Sequence, residues 1–161
     1  MSDSALITAL AGLVGIAIGA WLNSLLTTRR ERWNLRRDLY SRLLEGLGEA
    51  RYALDNLWDL EVNRPYSESE LVQESRKEFI QRLMESESTA IQEVRRATSV
   101  AAIMLGHEAI QVLDKLQSEW AEAEKEDTYF SHLDRRFAAV KNAYVLMVNT
   151  ARKDLKMEKA I

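Results

Sequence analysis

Residues 39–57 read LYSRLLEGLGEARYALDNL, and the spacing of their leucines and alanines decides the fold class. Leu39, Leu43, Leu47, Ala50, Leu54 and Leu57 follow one another at intervals of 4, 4, 3, 4 and 3 residues. Side chains at such intervals lie on one face of an α-helix, because the helix has about 3.6 residues per turn. The stretch therefore predicts an amphipathic helix that buries this stripe against other helices.

The segment before this helix contains no charged side chain from Ser4 to Thr28. A bilayer core is crossed by about 20 apolar residues in a helix, so we expect a transmembrane helix over about 5–26. Residues 29–42 contain six arginines and two acidic residues, Glu31 and Asp38, so the local charge is 6 − 2 = +4. Basic residues next to a span stay on the cytoplasmic side of the membrane. The charge therefore predicts that the N-terminus lies outside the cytoplasm. A buried core helix and a cleaved signal peptide are the alternatives.

The predicted organisation is an anchor at 1–28 and a cytoplasmic domain at 29–161, in a bacterial inner membrane. In the anchor, Ala11, Gly15, Gly19 and Asn23 are spaced by four residues. Small residues allow close approach of helices in lipid, so this row predicts self-association into a homo-oligomer. The alternative is that glycine and alanine are simply common in transmembrane helices.

The residues around the predicted membrane edge combine indole and guanidinium groups: Trp21, Arg29, Arg30, Arg32, Trp33, Arg36 and Arg37. Indole rings favour the headgroup region, and arginines bind anionic lipid at about 1 kcal/mol per charge. We therefore expect a contact of these residues with the lipid bilayer. A role in membrane topology alone is the alternative.

Three further helices follow the first. Asn63-Arg64-Pro65 ends it, and Ser67 to Glu70 matches a capping box. The next helix runs to a glycine stop at Gly106-His107, with a polar stretch at 85–89 that is a candidate kink. Shorter stripes predict helices over about 108–125 and 129–157. Four amphipathic helices with short connections predict an all-α fold, in which the N-terminal transmembrane helix continues into a cytoplasmic antiparallel bundle of about four helices.

No residue pattern predicts an enzyme or a cofactor. The chain has no cysteine, and His107 and His132 lack the Glu-x-x-His spacing of carboxylate metal sites in bundles. His107 is expected in a cap or turn and His132 on the surface. The charge of the whole chain is −3, which argues against a nucleic-acid partner. The sequence therefore predicts no catalytic site, no cofactor site and no metal site.

The span, the run Thr-Thr-Arg-Arg-Glu-Arg at 27–32 and the segment Arg-Arg-Asp-Leu-Tyr-Ser-Arg-Leu-Leu-Glu at 36–45 resemble a broad group of uncharacterised bacterial membrane proteins. The resemblance extends loosely to residues 102–116 and 151–155. It implies an inner-membrane, helical protein that is not an enzyme, and it provides no site residue to transfer.

Two functions fit these patterns. The first is a membrane-anchored interaction or scaffold module that self-associates through its span and binds or senses a cytoplasmic protein partner. The second is a pore-forming or membrane-perturbing effector, for example in bacterial defence or toxicity, gated by the bundle. An enzyme with a carboxylate site in the bundle is a third hypothesis.

Overall fold

The computed structural model describes residues 3–63 and 70–156, without the side chains of residues 3–22, 25, 26, 63 and 70–72. All regular structure in these ranges is α-helical. The four helices are α1 (Asp3–Asn63), α2 (Glu70–Met104), α3 (His107–Ala123) and α4 (Tyr129–Asp154). Their contacts divide the chain into two units, Met1–Leu35 and Arg36–Ile161. The predicted all-α fold is confirmed, and the predicted domain boundary at residue 28 stays a prediction.

Within the unit Arg36–Ile161, α1 and α2 run antiparallel. The Arg36 Nε atom donates to the carbonyl of Met104, at the end of α2, over 2.9 Å. At the other end, Arg76 Nη2 donates to the carbonyl of Leu60 over 2.5 Å. Two contacts that join opposite helix ends fix the direction of both helices, as expected for neighbours with a short connection.

The fourth helix runs antiparallel to both α1 and α3. Tyr40 lies near the start of the part of α1 that belongs to this unit, and its hydroxyl donates to the Asp154 carboxylate at the end of α4. Lys153 Nζ donates to Glu108 Oε1, in the first turn of α3, over 2.5 Å. These contacts complete the up-down-up-down topology that the sequence predicts.

The stripe of residues 39–57 forms the centre of the core. Leu43, Leu47, Ala50 and Leu54 are completely buried. Burial of one leucine side chain stabilises the folded state by about 1.5–3 kcal/mol. The row continues through about five helical turns and forms one hydrophobic cluster with buried residues of the other three helices.

Gly46 lies at a close approach of α1 and α2. A Cβ atom at Gly46 would lie 2.8 Å from Val94 Cγ2 and 3.2 Å from the carbonyl oxygen of Ala90. Valine has little freedom to move away because its χ1 angle is restricted. The packing of two helix backbones therefore requires glycine at position 46.

The ends of α1 and α2 agree with the sequence. Helix α1 ends at Asn63, before Pro65, as predicted. The capping box at Ser67 lies largely outside the described residues, and α2 continues without interruption through residues 85–89. Helix α2 ends at Met104, two residues before the predicted glycine stop at Gly106. The φ of Gly106 is −71° and its ψ is 162°, and the residue is also the N-cap of α3.

No helix in the described ranges is long and apolar enough to cross a membrane. This finding contradicts the predicted localisation as a single-pass inner-membrane protein with an outside N-terminus, and we correct that prediction. From Arg29 onward the longest uncharged stretch is 97–107, about half of the ~20 residues that a spanning helix needs. Most side chains of the segment 5–26 lie outside the described residues.

Candidate functional site

A long open groove lies on the surface of the unit Arg36–Ile161, and we call it the Gly48 groove. Its main part has a volume of about 700 Å³, and an adjoining part has about 290 Å³. Both parts share Gly48, Tyr52 and Tyr144. Helix α1 contributes most of the lining, α2 contributes one residue and α4 one. The lining residues are Ser41, Leu44, Glu45, Gly48, Glu49, Arg51, Tyr52, Asp55, Ser86 and Tyr144.

Gly48 has no packing reason to be a glycine within the bundle. The nearest atom that a Cβ at this position would meet is Tyr144 Cε2 at 3.7 Å, an ordinary van der Waals distance. Glycine inside a helix costs about 1 kcal/mol relative to alanine. At Gly46, two residues earlier, the close packing of α2 offsets this cost. At Gly48 no such close packing offsets it. The sequence thus keeps an unfavourable residue where the described structure would accept a side chain.

Two tyrosines border this glycine. Tyr52 is 66% exposed. Tyr144 is half-buried, and the guanidinium carbon of Arg51 lies 5.6 Å from the centre of its ring. A tyrosine offers an apolar face and a polar hydroxyl at low conformational cost, which is why binding surfaces are rich in it.

The charged groups of the groove are mainly acidic. Glu45, Glu49 and Asp55 contribute three negative charges against the single positive charge of Arg51, so the local balance is 1 − 3 = −2. Within the described parts of the chain, Glu45 alone of the three has a side-chain partner, since it accepts a hydrogen bond from Ser41 Oγ over 3.0 Å. The groove therefore offers carboxylates to a cationic ligand beside two aromatic rings.

A second cluster, buried inside the bundle, joins α2 to α4. Glu87 is only 3% exposed, and its Oε1 lies 2.5 Å from Arg136 Nη2. Among the described residues, neither Glu87 Oε1 nor Arg136 Nε has a partner in hydrogen-bond geometry. Burial raises the pKa of the Glu87 carboxyl, and the charge of Arg136 opposes this rise only in part.

The same arginine also contacts α3 and the start of α4. Its guanidinium carbon lies 4.2 Å from the centre of the Trp120 ring, a cation–π distance. Arg136 Nη1 lies 3.1 Å from His132 Nε2, and His132 Nδ1 lies 2.8 Å from the carbonyl oxygen of Ala123. His132 is therefore half-buried in a polar network that links three helices, not on the surface as predicted.

Sequence reasoning missed this ion pair although a signal was present. Glu87 lies four residues after the buried Leu83 and four before the buried Ile91. It thus occupies a position on the core stripe of α2, where a carboxylate needs a cationic partner. The sequence interpretation placed Glu87 in a polar stretch that interrupts the helix.

Tyr40 and Asp154 form a third polar contact at the end of the bundle. Burial raises the pKa of the Tyr40 hydroxyl above its ordinary range, and its hydrogen bond to Asp154 and the charge of Asp154 raise it further. Asp154 Oδ2 would lie 3.1 Å from a Cβ at Gly106. Glycine at 106 therefore gives the carboxylate access to the N-terminus of α3, where a negative charge is favoured.

The side chains predicted for span association and lipid contact are only partly described. Those of Ala11, Gly15, Gly19 and Trp21 lie outside the described residues, whereas Asn23, Arg29, Arg30, Arg32 and Trp33 are exposed. Arg36 Nε donates to the carbonyl oxygen of Met104, and Arg37 Nη2 lies 3.4 Å from Asp38 Oδ1. These two arginines thus have protein partners, and the association and lipid roles of the whole set stay predictions.

His107 is exposed at the first position of α3, as expected for a residue at a helix end. In the ranges for which side chains are described, no group of three or more histidines and carboxylates is arranged to hold a metal ion.

Comparison with protein-family models, with curated proteins and with solved structures gave no match for this chain.

Proposed function

We propose that the unit Arg36–Ile161 is a protein-interaction module that binds a helical, arginine- or lysine-bearing segment of a partner protein along the Gly48 groove. The observation that carries the proposal is Gly48 itself. A helix-interior glycine without a packing role permits another backbone to approach closely, and here it lies between two tyrosines in an acidic groove.

The shape of the groove favours a helix over a small molecule. Small-molecule sites enclose most of the surface of their ligand, whereas this groove is open along its length. The lining runs from Ser41 to Asp55 on α1, about 21 Å at 1.5 Å per residue. That length matches about four turns of a partner helix laid against α1.

The charge of the groove selects the partner. A cation that enters between Tyr52 and Tyr144 meets aromatic faces as well as the carboxylates of Glu45 and Glu49. Exposed ion pairs contribute about 0.2–1 kcal/mol each, and cation–π contacts about 0.5–1 kcal/mol. Several such contacts at once discriminate against an acidic or neutral helix, and the discrimination falls with added salt.

A titration with designed peptides tests the proposal. The probe is a fluorescein-labelled, alanine-rich helical peptide of about 16 residues, with four arginines spaced to face one side. The control peptide carries glutamates at the same positions. We expect saturable fluorescence anisotropy with the arginine peptide and the full-length chain. The glutamate peptide is expected to show no binding, and equal binding of both peptides would contradict the charge argument.

Two variants locate the binding site. Gly48→Leu fills the groove and is expected to weaken binding of the arginine peptide by at least about tenfold, a change of about 1.4 kcal/mol. Gln111→Leu adds the same exposed leucine on α3, away from the groove, and is expected to leave binding unchanged. Unaltered affinity in Gly48→Leu would overturn the proposal.

A further inference from the structure

A second opening lies between α2 and α3, and we call it the α2–α3 cleft. It has a volume of about 270 Å³ and shares no lining residue with the Gly48 groove. Its apolar wall includes Ile91, Leu113, Leu116 and Trp120, all of them buried. The cleft therefore has the floor of a hydrophobic binding site.

The single charged residue in the lining is Arg95. Its side chain is exposed and forms no hydrogen bond or ion pair with the described residues. The next residue, Arg96, does have a partner, since its Nη1 lies 2.8 Å from Glu93 Oε1. A positive charge thus stands without a carboxylate partner at the edge of an apolar cavity.

Neutral polar groups complete this edge. Ser99 and Gln117 line the cleft beside Arg95, and both residue types donate and accept hydrogen bonds. Thr98 also lines it, but its hydroxyl already donates to the carbonyl of Val94 over 2.8 Å. Donors at one edge and apolar side chains on the floor match a ligand with one anionic end and one apolar body.

We propose that the α2–α3 cleft binds a small amphipathic carboxylate, with the apolar body against Leu113, Leu116 and Trp120 and the carboxylate at Arg95. A guanidinium binds a carboxylate through two parallel hydrogen bonds. The volume sets the size of the ligand: a cavity of about 150 Å³ holds benzene, so this cleft suits an alkyl or aryl acid somewhat larger than benzene. The proposal is independent of the proposed protein partner.

Calorimetric titration of the full-length chain with octanoate and with octan-1-ol tests this assignment. Both ligands have the same chain length, and only octanoate carries a charge. We expect octanoate to bind at least about tenfold more tightly, as a charge-assisted pair predicts. Absence of octanoate binding, or equal affinity for the two ligands, would overturn the assignment.

Matched variants of the adjacent arginines locate the charge. Arg95→Gln is expected to weaken octanoate binding by about tenfold and to leave octan-1-ol binding unchanged. Arg96→Gln removes the same charge from a residue outside the lining and is expected to leave both affinities unchanged. Equal loss in the two variants would show a general charge effect and overturn the site. Equal unfolding temperatures of both variants and the parent chain serve as the folding control.

Discussion

Replacement of Gly48 by alanine is expected to stabilise the protein. Alanine is more favourable than glycine by about 1 kcal/mol in a helix interior, and the added Cβ would lie 3.7 Å from its nearest recorded neighbour, Tyr144 Cε2. No steric cost therefore offsets the gain. For a unit of this size, about 1 kcal/mol corresponds to an increase in Tm of roughly 4 °C.

Gly46→Ala is the matched control and is expected to change stability in the opposite direction. Its Cβ would lie 2.8 Å from Val94 Cγ2 and 3.2 Å from the carbonyl oxygen of Ala90. Overpacking of this kind costs about 1–3 kcal/mol, from which the helix gain of about 1 kcal/mol is subtracted. The net expectation is a loss of up to about 2 kcal/mol.

Urea unfolding of both variants, followed by circular dichroism, measures these changes directly. The linear extrapolation gives the free energy of unfolding for each variant against the parent chain. A loss of stability in Gly48→Ala would show that the bundle itself requires glycine at this position. That result would refute the inference that the glycine is kept for an external contact.

Three further predictions concern the buried polar groups. Arg136→Leu leaves the Glu87 carboxylate without its partner and is expected to cost about 3 kcal/mol in urea unfolding, most of which the double variant Glu87→Leu/Arg136→Leu regains. Because the folded-state pKa of Glu87 lies above its ordinary value of 4.5, its contribution to stability is complete below that pH and is lost as pH rises through the raised pKa. The stability of the parent chain minus that of Glu87→Gln should therefore fall as the pH rises above 4.5, and a difference independent of pH would contradict the assignment. Tyr40→Phe removes the hydrogen bond to Asp154 and is expected to cost about 1.5 kcal/mol, measured by the same unfolding experiment.

The bundle was predictable because its signals are local. The stripe from Leu39 to Leu57 repeats at helical intervals, and Pro65 marks the end of α1. Both depend on residues a few positions apart, which the sequence displays directly. The end of α4 at Asp154 instead of residue 157 lies within the usual uncertainty of helix boundaries.

The contacts between helices were not predictable in the same way. The spacing of Glu87 from Leu83 and Ile91 was a signal that the sequence interpretation missed, and nothing in the chain named Arg136, 49 residues later, as its partner. Gly106 looked like a helix stop because glycine is common there. Only the structure shows that Asp154 from α4 requires the space.

The two glycines of α1 illustrate the same difference. In the sequence, Gly46 and Gly48 are equivalent helix weakeners. The structure separates them, because one contacts α2 closely and the other opens onto a groove. The predicted span is a case in which the local pattern misled. An uncharged stretch suggested a transmembrane helix, but no helix among the described residues is long and apolar enough to cross a membrane.

The most direct test of the account is the map of amide chemical-shift changes when the arginine peptide is added to the full-length chain labelled with ¹⁵N. We predict that the largest changes fall on residues 41–55 of α1 and around Tyr144, with Gly48 among them. Residues of α3, which contribute nothing to the Gly48 groove, are expected to stay unchanged. Changes centred on α3, or spread evenly over all helices, would contradict the claim that this groove binds the partner.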